Sequence, residues 1–163
     1  MKMWEMPQVA YDFWRPNKYG IKPYLCKDGR KHPVAIICPG GAYSMVCSFV
    51  EGMPIAKALN KCGYHAVVAY YRTKKKARFP NPHEDLKRAI TDTFSHAEDW
   101  NLETDGWSLW GNSAGGHLAA SFCSTSSTES LTKTNSFPQY KVSRRELLYS
   151  LRLMPFYYII KSL

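Results

Sequence analysis

The run Gly111-Asn112-Ser113-Ala114-Gly115 sets a serine between two glycines, each two residues away. A G-x-S-x-G of this kind exposes a serine hydroxyl as a nucleophile when it lies where a strand turns sharply into a helix. Side chains at 111 and 115 would strike neighbouring backbone there, so the spacing calls for glycine. The N–H of Ala114, opening the following helix, would face negative charge developing beside Ser113. A second segment, Pro39-Gly40-Gly41-Ala42-Tyr43, has residues small enough for backbone N–H groups to converge on one point. Acyl transfer needs such donors because the carbonyl oxygen becomes an oxyanion, and losing one donor slows reaction by roughly a hundred- to a thousand-fold. Each segment alone also reads as a plain tight turn; what distinguishes them is their setting.

That setting is strands alternating with helices. Val34–Cys38 is a short β-branched apolar run of the kind buried on both faces. A helix is predicted over Gly52 to Lys61, with Met53, Ala56 and Leu59 on one side and Gly63 as its stop. His65–Tyr71 is the next strand. After Pro80-Asn81-Pro82, a helix is predicted from His83 to Trp100, because Leu86, Ala89, Ile90, Phe94, Ala97 and Trp100 recur at three- and four-residue steps. Gly106–Trp110 is a third strand, running straight into the serine turn and a helix. The alternation predicts an α/β fold with a mostly parallel sheet flanked by helices. The serine follows one strand and the Pro-Gly-Gly turn another, so both fall at the same end of that sheet.

The chain has 163 residues, of which 45% are apolar and 21% charged, which suits one packed domain and excludes disorder. No run approaches the roughly eighteen apolar residues that span a bilayer, and the N-terminus lacks a secretory pattern. No membrane partner is expected. Cysteines 26, 38, 47, 62 and 123 show no metal-ligand spacing and are odd in number. The expectation is reduced thiols in the cytoplasm, with no metal and no cofactor. The net charge is +9, but the densest cluster (Arg72, Lys74, Lys75, Lys76, Arg78) reads as a solvated loop without a nucleic-acid motif. Nucleic acid is therefore not expected as a partner. All ten glycines fall at or before Gly116, and a Ser/Thr-rich basic stretch follows. Two parts are drawn from this break: residues 1–122, and a divergent tail, 123–163, expected to be poorly ordered.

On PGGAY at 39–43, Glu51-Gly52, AVVAYYR at 66–72, FPNPHEDLKRAI at 79–90 and GNSAGGHLAASF at 111–122, the chain resembles the α/β-hydrolase superfamily. Within it the chain is most similar to the small acetyl-esterase and acetylxylan-esterase-like branch, over residues 20–122. The resemblance implies hydrolysis of short acyl esters, small-molecule substrates, through an acyl-enzyme on Ser113. Its oxyanion hole would be built from amides of the Gly40–Gly41–Ala42 turn and of Ala114. A kynurenine-formamidase-like amidase shares the layout and stays open as an alternative.

The triad of this fold runs serine, acid, histidine along the chain. Here no histidine follows His117, and Glu129 and Glu146 are the only acids after Ser113. His117, one helical turn past the serine, is expected to face the sheet or the helix flank. His65 and His83 are expected to be structural, and Asp85, Asp92 and Asp99 to cap their helix or face solvent. The resulting expectation is a truncated or frame-disrupted hydrolase, incomplete after the elbow helix. Its exposed sheet edge would favour self-association. Because loss of the base costs a serine hydrolase about a million-fold in turnover, an inactive fragment, pseudoenzyme or binding module is the second reading.

Overall fold

The structure, a computed structural model, describes residues 19–129 and 157–161. Its elements are β1 (Gly20–Tyr24), β2 (His32–Cys38), α1 (Met53–Lys61), β3 (His65–Tyr70), α2 (Asn81–Ser95), β4 (Leu102–Asn112), α3 (Ala114–Glu129) and β5 (Tyr157–Lys161). The strands form one sheet in the order β1-β3-β2-β4-β5. In the middle, β2 runs parallel to both β3 and β4. At the margins, β1 is antiparallel to β3, and β5 is antiparallel to β4.

Alternation along the strands sends side chains to two layers. Val34, Ile36, Val67, Ala69, Trp107 and Leu109 pack with Leu86, Ala89 and Ile90 of α2 and Leu118, Ala119 and Phe122 of α3. Ala35, Ile37, Ala66 and Val68 pack on the opposite face against Ala56 and Leu59 of α1. Since β2 and β3 are covered on both sides, they read as unbroken apolar runs. The α1 helix stops at Lys61, and Gly63, at φ +78°, turns the chain into β3.

The mostly parallel sheet and its helices appear as expected, and several boundaries move. The helix predicted to reach Trp100 ends at Ser95. Tighter turns follow (His96 N–H to Thr93 O, Ala97 N–H to Phe94 O), keeping Trp100 in the core until Asn101, at φ +52°, redirects the chain. The strand read as Gly106–Trp110 begins at Leu102, because its first half carries exposed polar residues that pair without being buried. The α3 helix continues past the boundary drawn at residue 122 to Glu129, and β5 lies on the outer edge of β4. Residues 130–156 and 162–163 of the expected tail lie outside the described residues.

The N-terminal ends of the parallel strands are tied by polar contacts. His32 Nε2 lies 2.8 Å from Asp28 Oδ1 and its Nδ1 2.9 Å from Gly63 O. Arg30 donates to Asp28 from Nε and Nη2. The His32 hydrogen bond first, and Arg30 second, hold the Asp28 carboxyl well below the usual carboxylate range. His65 is buried, as a structural residue, and its Nδ1 accepts the Cys26 N–H at 3.0 Å. Among the described residues no helix is long and apolar enough to cross a membrane.

Candidate active site

At the other end of the sheet β4 passes from Gly111 and Asn112 into Ser113, which has φ +49°. A non-glycine residue in the left-handed region is uncommon and strained, and surrounding structure must hold it there. Two close contacts do so. A Cβ at Gly111 would lie 2.5 Å from Gly115 O and 2.6 Å from Gly116 Cα. A Cβ at Gly115 would run into the carbonyl oxygen of Cys38 and lie 2.6 Å from Pro39 O. The glycines are there because α3 leaves the sheet with its first turn pressed on the backbone of β2 and β4. Ser113 itself is exposed at the apex.

The Pro39–Tyr43 turn lies directly against this apex. A Cβ at Gly40 would be 2.8 Å from Asn112 O and 2.9 Å from Ser113 Cβ. Gly41, Ala42 and Tyr43 all have positive φ (+121°, +52° and +56°); glycine takes it freely, but Ala42 and Tyr43 are strained and need fastening. The fastenings are visible. Ser44 and Met45 N–H donate to Gly41 O, and Cys47 N–H donates to Gly40 O at 2.9 Å. The buried Tyr71 hydroxyl donates to Pro39 O at 2.5 Å, and burial pushes its ionisation far up, so the proton stays on. Lys74 N–H donates to Tyr43 O at 2.7 Å. The Tyr43 hydroxyl lies 2.9 Å from His117 Nδ1, and its ring meets Tyr71 edge-on.

Not all of the amides at the turn are open. Gly40 N–H donates to the Glu51 carboxylate at 2.7 Å. Glu51 lies on a short π-helical segment, Ser48–Gly52, that precedes α1. By contrast, the N–H groups of Gly41, Ala42 and Ala114 donate to no described residue. The structure thus brings Gly40, Gly41, Ser113 and Ala114 together, but directs the Gly40 amide away to a carboxylate. Glu51 was visible in the sequence only as part of a resemblance; its bond to Gly40 needed the fold.

None of the five histidine side chains hydrogen-bonds to Ser113; each ring has a described partner elsewhere. His32 and His65 are at the far end of the sheet. His83 Nε2 is 3.0 Å from Ser121 Oγ, and His96 Nδ1 is 2.7 Å from Asp92 O. Burial first, and the nearby His117 second, lower the His83 pKa from its ordinary value. Of the two places expected for His117, the sheet or the helix flank, it takes the flank: it is exposed and turned to Tyr43. One turn beyond Ser113, a side chain on this side of α3 projects over the strand ends rather than under them.

Asp85 corrects an expectation. It is 1% exposed, and its Oδ2 accepts both the backbone N–H and the Nε–H of Arg72 at 2.8 Å. Arg72 also donates to Glu84 and to Asn81 O. This pair fastens the start of α2 to the end of β3, and fixes the loop whose Lys74 amide holds Tyr43. Asp92 accepts a hydrogen bond from the Tyr19 hydroxyl, and Asp99 is exposed. Among the described residues no group of three His, Cys, Asp or Glu side chains could hold a metal ion.

A mostly parallel sheet in which a strand beside the central one, β4, ends in a left-handed serine, with a helix starting at the next residue, defines an α/β hydrolase. Within that class the chain belongs to the BD-FAE family, whose model matches residues 24–147. It is 31% identical over 109 residues to esterase LipQ of Mycobacterium tuberculosis, covering 67% of this chain and 24% of that protein. The solved acetyl ester-xyloside bifunctional hydrolase from Caldicellulosiruptor lactoaceticus aligns with TM-score 0.59 and 32% identity, over 67% of this chain and 39% of that one. MGS-M1, an alpha/beta hydrolase from a deep-sea metagenome library, aligns with TM-score 0.56 and 30% identity, over 68% and 47%. The chain therefore spans about a quarter of the curated relative and less than half of either solved relative.

Proposed function

We propose that this chain carries the acyl-transfer centre of a serine carboxylic-ester hydrolase. Ser113 Oγ attacks the ester carbonyl, and the N–H groups of Gly41, Ala42 and Ala114 stabilise the oxyanion. The alcohol leaves, and water then hydrolyses the acyl-enzyme. The observation that carries this reading is the strained, exposed Ser113 held against a turn whose amides remain unspent. The Gly40 amide drops out of the hole because the Glu51 carboxylate occupies it. Its place in this scheme is to shape the turn. Relatives named for acetyl esters and xylosides support short acyl groups on carbohydrate alcohols as the substrate class. Five free cysteines support a reducing compartment such as the cytoplasm.

The serine proton needs an acceptor, and every histidine ring in the chain is hydrogen-bonded to a group other than Ser113. These 163 residues therefore place no imidazole at the Ser113 hydroxyl. The test is an intact-mass measurement of fluorophosphonate labelling with and without added imidazole as a surrogate base. One adduct on wild type, accelerated by imidazole and missing from Ser113→Ala, is the expected result. Equal labelling of the two proteins overturns the assignment of Ser113.

A further inference from the structure

The basic turn after β3 sits at the serine end of the sheet and has no counter-charge among the described residues. Lys74, Lys75, Lys76 and Arg78 are all exposed, and none forms an ion pair with a described acid. The nearest acids in sequence, Glu84 and Asp85, are both taken by Arg72. The turn is also tethered to the candidate active site. Lys74 N–H donates to Tyr43 O, the Tyr43 hydroxyl meets His117, and His117 N–H closes the first α3 turn on Ser113 O. Lys74 has φ +58° and leads a single 3₁₀ turn, Lys74–Lys76, which presents consecutive lysines to solvent. Beside them Phe79 is 72% exposed, its ring edge-on to His83 at 5.0 Å.

Four cations that no described acid pairs, on one anchored turn, raise the local concentration of anions at the mouth of a site. An adjacent exposed ring offers an apolar face. We propose that this turn is a substrate rim, and that the site takes esters carried on carboxylated sugar chains in preference to neutral ones. The inference rests on the ester-hydrolase reading above, but its consequence is read by binding alone. The carboxylates pair with Lys75, Lys76 and Arg78, and a sugar ring covers Phe79, with the ester held toward Ser113.

The test is calorimetric titration of the full chain with an oligogalacturonide, a neutral xylo-oligosaccharide of equal length and an oligouridylate, at 25 and 200 mM salt. The oligogalacturonide should bind best and weaken as salt rises. Each exposed ion pair contributes roughly two- to fivefold, so K75Q/K76Q/R78Q should weaken binding about ten- to a hundred-fold. K27Q/K61Q, at the opposite end of the sheet, should leave it unchanged. Equal affinity for the neutral sugar, an unaffected triple variant, or tighter binding of oligouridylate would each overturn the proposal, the last in favour of a nucleic-acid surface. Ser113→Ala should bind the oligogalacturonide like wild type. A failed labelling experiment therefore removes the hydrolase reading without touching this result.

Discussion

Gly115→Ala probes the contact on which the serine apex depends. The added methyl would strike Cys38 O and lie 2.6 Å from Cys38 C and Pro39 O. An ordinary van der Waals contact is 3.4–4 Å, so about an ångström of separation must be found. It cannot come from β2, which is hydrogen-bonded on both sides and pairs Cys38 with Gly111. It cannot come from a rotamer either, because the obstructing atoms are backbone. Over-packing of this kind costs typically 1–3 kcal/mol, and the rigid partner puts it near the upper end. Alanine regains about 1 kcal/mol of helix propensity over glycine, leaving a net loss of about 2 kcal/mol. With a urea slope of about 2 kcal/mol/M, the unfolding midpoint should drop by about 1 M. Gly106→Ala is the control: its Cβ would meet only Pro33 Cβ, at 3.4 Å, on an exposed stretch of β4. It should stay within about 0.5 kcal/mol of wild type. If Gly115→Ala unfolds at the wild-type midpoint, helix α3 does not press on β2 and the account of the left-handed serine is wrong.

Asp85→Ala strands the Arg72 guanidinium. Loss of one partner of a buried pair costs about 3–5 kcal/mol, and the partly exposed Arg72 side chain places this one near 3 kcal/mol in urea unfolding. Glu51→Ala leaves the Gly40 N–H without its acceptor at a cost of about 1–3 kcal/mol, whereas Glu51→Gln should restore most of it; equal losses would show that charge, not the hydrogen bond, matters there. In timed iodoacetamide labelling read by peptide mass, the exposed Cys62 should react first. Cys38 and Cys123 should react only on unfolding, since burial alone pushes the Cys123 thiol up to about 12. Because its folded pKa is depressed, Asp28 adds stability that is present above the ordinary carboxylate value of about 3.9 and lost as pH falls through its lower folded value. Asp28→Asn should flatten that acid limb of a stability-against-pH curve, and an unchanged limb would show that the His32 and Arg30 contacts add nothing.

The centre of the sheet was legible because its chemistry is local. VAIIC and HAVVAY are buried on both faces, and a G-x-S-x-G between strand and helix leaves few geometries open. The margins were not. β1 reads Gly-Ile-Lys-Pro-Tyr, with a buried lysine and a proline that only an edge strand tolerates, so no hydrophobic period announces it. Asp85 sits one residue before Leu86, and in sequence it looks like the polar face of α2. Its burial follows from Arg72, thirteen residues back on another element. The same holds for His117 and Tyr43, joined only once the sheet has brought the ends of β4 and β2 side by side, and for Glu51 and Gly40, joined only once the connection after β2 has folded back on itself. What sequence alone places is the turn; which of its amides stays open is decided by a carboxylate eleven residues away.

Cys62 caps α1 at the end of the molecule where β3 begins, exposed and unpaired. Ser113 stands at the end where β4 finishes, about six strand residues further on, or on the order of 20 Å. A dye, spin label or resin coupled through that thiol would leave the serine, the Gly41–Ala42 amides and the lysine turn all facing open solvent. The protein thus carries its own attachment point for oriented surface measurements, with no added tag.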